Sequence, residues 1–440
     1  MSAASTAEHK SPELLKVMER AKDPKFVFLS LAHLIDEAAL TRAYHRIRRN
    51  AAVGVDDVTK EQYGLELDRN IRDLHERLRA MRWRHKPILR VQIPKENGKS
   101  RPIGISSTED KIVQQALSEI LEAIYEPIFR DFSYGFRRKR SAHDALRAIN
   151  GALFRGEASW ILEMDVESFF DSINRKMLLE MIQERVVDGS FKRLVGKCLH
   201  VGILDGEEYS EPDEGTVQGS VLSPILGNIY LHHVLDRWFE RDVVPRLSGS
   251  AHLIRYADDA LMMFEREDDA RKVLEVLTKR FAKYGLRLHP DKTRIVPFKR
   301  PTRADRDGKG PGTFDFLGFT HYWRRARSGR WMPWVKTRKA RVQRFTAAVA
   351  GWLRRHRHLP VREQHAALTQ RIAGHFQYFG VNGNVPALRH VLRACEKLWH
   401  KWLNRRSQRA RKSWSDFASL MRWWPLPRAK VRTKLWQTSS

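Results

Sequence analysis

The sequence predicts an α+β fold in two unequal parts: an antiparallel sheet backed by helices up to about residue 299, then an all-helical region over 338–407. Three observations carry this expectation. Residues 88–105 (ILRVQIPKENGKSRPIGI) alternate apolar and polar side chains around the turn Glu96-Asn97-Gly98-Lys99, the two-residue period of a hairpin. The runs WILEMDVESFF (160–170) and LIRYADDALMMF (253–264) read as buried strands. Beyond residue 338 the pattern is that of three helices, at 338–357, 361–379 and 386–407, broken at His358-Leu359-Pro360 and at Gly380–Asn384.

Taken in order, residues 12–50 read as helical, with apolar residues at mixed three and four spacing and a basic end. A second helix is expected over 60–82, then the 88–105 hairpin, then helices at 108–126 and 141–154. The 160–170 strand runs into a helix. The acidic tract DGEEYSEPDEG (205–215) is expected as an exposed turn, and PILGNIYLHHVLDRWFER (224–241) as a helix. LIRYADDALMMF reads as a tight hairpin with its carboxylates on an exposed tip, followed by a helix at 267–285 and a short strand near 293–298. The Pro-, Gly- and charge-rich stretch RPTRADRDGKGPG (300–312) separates this part from FDFLGFTHY, and the last thirty residues read as a looser appendix. The divisions are therefore 1–87, 88–299, 300–337, 338–407 and 408–440.

A chain of 440 residues with 42% hydrophobic residues can bury a substantial, multidomain core. Its two cysteines, Cys198 and Cys395, have no Cys or His partners at zinc-ligand spacing, which fits a reducing, cytoplasmic setting. The N-terminus lacks a secretory pattern, and no apolar run reaches the roughly 18 residues of a membrane span, so a soluble protein with no membrane partner is expected. The formal net charge is +29, and residues 321–440 hold 28 Lys and Arg against only three acids, Glu363, Glu396 and Asp416. The same segment contains ten of the thirteen tryptophans. A plain helical domain could use those tryptophans as core and leave its arginines solvated. A surplus of that size repels itself, however, and bases interleaved with flat aromatics suit nucleic acid.

Asp258 and Asp259 alone fit an acidic turn. Asp165, at the end of another apolar strand 93 residues earlier, changes that reading. Two strands of one antiparallel sheet could gather the three carboxylates into an oxygen-only site suited to Mg²⁺. Two such ions roughly 3.5–4 Å apart would stabilise both the attacking and leaving oxygens of a phosphoryl transfer.

Eight blocks in order, IPKENGKSRPIGI, DKIVQQAL, SYGFRRKRSAHDAL, MDVESFFDSI, GTVQGSVLSPILGNIYL, RYADDALMMF, LHPDKT and FDFLGF, span nearly the whole chain. Through them it resembles the reverse transcriptase family, specifically the intron-encoded proteins of bacterial group II introns. The resemblance implies a right-hand polymerase fold: fingers and palm over 88–299, a primer grip within 300–337, a helical thumb (domain X) over 338–407 and a short DNA-binding segment from about 408. It implies Asp165, Asp258 and Asp259 as ligands of two Mg²⁺, helped by the carbonyl of Val166. Lys95 and Arg101 would grip the dNTP triphosphate, Phe170 would sit under the sugar and exclude a 2′-hydroxyl, and Gln218 would line the nucleotide pocket. Lys292 would protonate the departing pyrophosphate, and Leu317 and Gly318 would form the primer grip.

The implied partners are intron RNA, an RNA template with a DNA primer, target DNA and dNTPs, in a bacterial cytoplasm. Two departures stand out: Val217 and Ser220 in GTVQGS replace the proline and glycine of the usual GTPQGG, in the loop that shapes the nucleotide pocket. Many relatives continue into an endonuclease with paired cysteines and histidines. Resemblance to members without one implies a polymerase that finds its primer elsewhere. The family also admits a domesticated enzyme serving DNA repair, phage defence or CRISPR adaptation, and a splicing chaperone without catalysis.

Overall fold

The computed structural model describes residues 11–94, 100–206, 208–211, 214–302, 311–326, 328–406 and 411–436. Helix starts follow local capping chemistry. Ser11 accepts from Leu14 N at the start of α1 (Pro12–Ala21), and Asp36 accepts from Ala39 N to begin α2 (Glu37–Arg46). Thr59 and Gln62 form a reciprocal capping box at α3 (Lys60–Gly64), which is followed by α4 (Leu67–Arg79). The continuous helical reading of 12–50 is corrected: after Asp23-Pro24, Phe28 pairs in parallel with Val186, and the Asp188 carboxylate accepts from the amides of Leu31 and Ala32 at 2.6 and 2.9 Å. Donors satisfied by such distant partners need no helix, and local periodicity carries no trace of them. The 60–82 helix likewise divides after Gly64, where an added Cβ would lie 2.1 Å from the Tyr44 hydroxyl oxygen.

Strands β1 (Ile88–Pro94) and β2 (Ser100–Ile105) pair antiparallel from Leu89↔Ile105 to Pro94↔Ser100, as the alternation predicts. The turn, residues 95–99, lies outside the described residues. Next come α5 (Thr108–Tyr125), α6 (Ala142–Arg155), β3 (Trp160–Met164), a 3₁₀ turn at Phe169–Ser172, α7 (Arg175–Gln183) and α8 (Gly189–Leu199). The acidic tract is more than the expected turn. It contributes a hairpin, β4 (Ile203–Asp205) with β5 (Glu208–Ser210), and β4 joins β1 in parallel to give a sheet ordered β2-β1-β4-β5. The β5 side chains remain exposed while its backbone is bonded, a pairing that composition does not reveal. The predicted 224–241 helix is α9 (Ser223–Leu231), prolonged by two π-helical turns at His232–Asp236 and Phe239–Val243.

The predicted hairpin is β6 (Ala251–Tyr256) with β7 (Asp259–Phe264), followed by α10 (Glu267–Lys283) and β8 (Arg294–Pro297). These strands and β3 form an antiparallel sheet ordered β6-β7-β3-β8. Alternate side chains enter two cores. Leu162, Met164, Leu253, Met262 and Phe264 pack with the N-terminal helices, whereas Ile161, Ile254, Leu261, Met263 and Val296 pack into a second core. Burial on both faces is why these strands are nearly unbroken apolar runs.

The region expected to be linker and grip holds a third sheet, β9 (Phe314–Phe316), β10 (Phe319–Arg325) and β11 (Trp331–Thr337), ordered β11-β10-β9. The three predicted helices follow as α11 (Lys339–Arg355), α12 (Val361–Phe379) and α13 (Val385–Leu403). The looser appendix is corrected too: it contains α14 (Trp414–Trp423), and Leu426, Leu435 and Trp436 return to the second core. Among the described residues no helix is long and apolar enough to cross a membrane. Trp436 packs its ring 5.3 Å from Trp334 and 6.5 Å from Phe154, so Trp436→Ala is expected to cost ~3–5 kcal/mol in chemical denaturation. Trp423→Ala, at a residue that is 84% exposed, is expected to change stability by no more than ~0.5 kcal/mol.

Candidate active site

Tyr256 and Asp259 close the β6–β7 hairpin and leave Ala257-Asp258 as its two-residue loop. Ala257 has φ +58°, a left-handed conformation that tight hairpin loops require and that costs a non-glycine residue roughly 1–2 kcal/mol. Surrounding groups hold it there. An added Cβ on Gly135 would lie 2.1 Å from Ala257 N, so the 132–135 segment passes directly against the tip. Tyr134 N donates to Arg255 O at 2.8 Å and Arg255 N to Phe132 O at 2.9 Å.

The Arg255 side chain is 0% exposed. It donates to both oxygens of Asp236 at 2.8 and 2.6 Å, to Asn228 Oδ1 at 2.9 Å and to the Ala257 carbonyl at 3.0 Å. Asn228 in turn donates to Gly135 O at 2.9 Å. Residues eight apart on an α-helix diverge by roughly 80°, and the wider π-helical turn at His232–Asp236 takes up much of that angle, letting Asn228 and Asp236 face one guanidinium. Sequence reasoning missed this network. A lone arginine inside an apolar run was the available signal, since such a charge needs a buried partner; nothing local marks Asp236 or Asn228. Arg255→Ala is expected to cost ~3–5 kcal/mol by leaving Asp236 buried and unpaired, and Arg255→Met combined with Asp236→Leu to recover most of it in urea denaturation.

The sheet register brings the carboxylates together. Met164 lies opposite Ala260, so Asp165, one residue beyond β3, reaches the same sheet end as Asp258 and Asp259. Asp165 O accepts from His289 N at 2.8 Å and Glu167 N donates to Arg287 O at 2.9 Å, with Val166 buried between them opposite Leu288. Asp259 is exposed at the tip, as the sequence suggested, while Asp258 is half-buried and Ala257 buried. Burial and the charge of Asp165 raise the Asp258 carboxyl above its ordinary range, against the opposing charges of Arg101 and Arg255. Asp259 reaches solvent through a cavity, yet burial and the charges of Asp258 and Asp165 push it up to about 6.

Lys292 Nζ donates to Asp165 Oδ2 at 2.8 Å. Among the described residues no three Asp, Glu, His or Cys side chains are grouped closely enough to hold an ion unaided. Hard oxygens under mutual repulsion nevertheless fit a divalent cation that brings further oxygen ligands from water or phosphate.

A cavity of about 730 Å³ opens here, bounded among others by Asp165, Asp259, Lys292, Leu317, Gly318 and Tyr378. Leu317 and Gly318 are the two-residue loop between β9 and β10, with φ +49° and +78°, the paired positive angles of a type I′ turn. The Tyr378 hydroxyl donates to Leu317 O at 2.9 Å and Arg338 N to Gly318 O at 3.0 Å.

The remaining predicted residues lie further out. Lys95 lies outside the described residues. Arg101, exposed on β2, is close enough for its charge to act on Asp258. Phe170 is half-buried with its ring 5.2 Å from Phe169, and its carbonyl accepts from Thr216 N at 2.6 Å. Gln218 lines a separate hollow of about 240 Å³ with Arg90, Arg175 and Val217, and its carbonyl accepts from Gly104 N at 2.7 Å. The two departures are accommodated: Val217 seats where only a glycine at 104 leaves room, and Ser220 Oγ accepts from Leu222 N at 3.3 Å. Gln114, which the sequence reading left without a role, fastens this loop by accepting from Val221 N at 3.1 Å.

Residues 93–321 match the family model described as reverse transcriptase (RNA-dependent DNA polymerase). The chain is 30% identical over 373 residues to Protein YkfC of Escherichia coli (strain K12), a match covering 76% of this chain and 93% of that one. It is 34% identical over 253 residues to the group II intron-encoded protein LtrA of Lactococcus lactis subsp. cremoris, covering 54% of this chain and 41% of LtrA. Nuclear intron maturase 4, mitochondrial, of Arabidopsis thaliana is 26% identical over 221 residues, covering 49% of this chain and 26% of its own length. The chain thus spans less than half the length of these intron-named relatives.

Proposed function

The chain belongs to the reverse transcriptase family, in its group II intron branch, and from that premise we propose that it makes cDNA by two-metal nucleotidyl transfer at the Asp165, Asp258 and Asp259 site and binds its parent intron RNA as a splicing maturase during retrohoming. The observation that carries this reading is the convergence of Asp165 with the β6–β7 tip in one cavity that also holds Leu317 and Gly318. In this reading the two N-terminal sheets with their helices are fingers and palm, the Leu317-Gly318 turn grips the primer end, and α11 to α13 are the thumb. Two Mg²⁺ ions, bound by the three aspartates with the Val166 carbonyl, would lower the cost of charge on the reacting phosphate oxygens.

The chain's own residues would do the rest. Arg101, together with Lys95, would hold the triphosphate by charge and, for Arg101, bidentate hydrogen bonds. Phe170 would close the space beside the sugar, and the loop carrying Gln218 would shape the pocket for the incoming base. Lys292, now paired with Asp165, would turn to the leaving pyrophosphate and protonate it. RNA duplex and target DNA would follow the basic segment 321–440, where Trp423 is exposed and available for stacking.

Asp258→Ala is expected to abolish primer extension on an RNA template with Mg²⁺ while leaving intron RNA binding within about threefold, because shape and backbone contacts dominate that binding. Full extension by the variant would refute the metal assignment. The raised Asp259 predicts a second signature. From the ordinary aspartate value of roughly 3.9 up to about 6, the folded chain holds a proton that the unfolded chain releases, so its contribution to stability falls as pH rises through that window. Mg²⁺ is therefore expected to raise the melting temperature above pH 6 and to have little effect below pH ~5. Asp259→Asn should raise the metal-free melting temperature at neutral pH and remove most of the gain from Mg²⁺; an unchanged gain would place the ion elsewhere.

A further inference from the structure

Glu163 lies on β3 two residues before Asp165, about 7 Å away along the strand and on the same face. It also lines the cavity. Its side chain is only 12% exposed, so its charge must be matched. One carboxylate oxygen accepts from Arg294 Nε, directly across the β3–β8 ladder. The other accepts from Asp315 N at 2.7 Å.

That second bond crosses between two sheets. β3 belongs to β6-β7-β3-β8 and β9 to β11-β10-β9, and the two share no ladder. Asp315 continues the connection: its carboxylate pairs with Arg338 Nε at 3.0 Å, and Arg338 N donates to Gly318 O at 3.0 Å. A short bonded path therefore runs from the strand presenting Asp165 to the Leu317-Gly318 turn. Simple packing would be served by an apolar side chain here, whereas a carboxylate with one oxygen on each element fixes the distance between them.

We propose that Glu163 is a positioning residue for the primer terminus, fastening the Leu317-Gly318 hairpin to the strand that carries Asp165. This rests on the polymerase reading. Glu163 touches neither nucleotide nor reacting atoms, and acts by fixing where the primer hydroxyl meets the aspartates. Displacement of a reacting group by about 1 Å can cost about 10²-fold in rate.

Length and charge at position 163 can be separated. Glu163→Gln keeps the reach to Asp315 N and loses the charge; Glu163→Asp keeps the charge and, one methylene shorter, loses the reach. Single-nucleotide extension of a matched primer on RNA, with kcat and KM for the dNTP measured apart, is the test. The expected result is kcat lowered about 10²-fold in Glu163→Asp and Glu163→Ala, by less than about tenfold in Glu163→Gln, with the dNTP KM changed less than about threefold throughout. Arg294→Ala, which leaves the Asp315 bond in place, should resemble Glu163→Gln, and melting curves of each variant check folding. Glu163→Asp as active as wild type, or more active than Glu163→Gln, overturns the proposal, as does a loss confined to KM. Wild-type protein unable to extend any primer overturns the polymerase reading itself, and the role of Glu163 with it.

Discussion

The guanidinium of Arg255 is cut off from solvent and spends its donors on Asp236, Asn228 and the carbonyl of Ala257, and the geometry of the carboxylate site depends on it. A buried ion pair of this kind contributes little net stability, because desolvation offsets most of the attraction. Its use here is specificity of position. Ala257 would relax from its positive φ without something fixing both sides of its peptide, and Asp258 follows it directly in the chain. The same charge acts on Asp258, opposing the repulsion from Asp165.

The rest of the molecule supplies that network with a rigid frame. The β6-β7-β3-β8 sheet is buried on both faces, one against the N-terminal helices and the other against α6 and the C-terminal region. A strand clamped between two cores has no freedom to slip register, since a shift of one residue would exchange every side chain between them. Register in turn sets Met164 opposite Ala260 and brings Asp165 to the end of the sheet beside the tip. Strained backbone is tolerated at Ala257, in the loop that carries Asp258, and at Leu317, in the cavity wall, and in both cases neighbouring groups bond the carbonyl of the strained residue.

The sequence made the three carboxylates legible because each terminates an apolar run, and it made the hairpin at 88–105 legible because period-two alternation is a local property. Most helices were legible for the same reason. The sequence did not disclose that the acidic tract would add strands to a sheet, that β11 would complete a third sheet, or that the C-terminal residues would return to the core. Each of those depends on backbone bonds or apolar contacts with partners far along the chain. Charged composition masked the first, and isolated aromatic residues in a basic context masked the last.

By itself, then, the sequence determined which residues could bear the chemistry and where the strands and helices would run, because side-chain type and periodicity are written in consecutive residues. Tertiary structure alone decided how the carboxylates are held and perturbed. Arg255, Asp236 and Asn228 meet through a sheet register and a π-helical turn, and Glu163 joins two sheets through one side chain. Such contacts pair residues tens to hundreds of positions apart, with bonding partners selected by packing and not by neighbours in the chain.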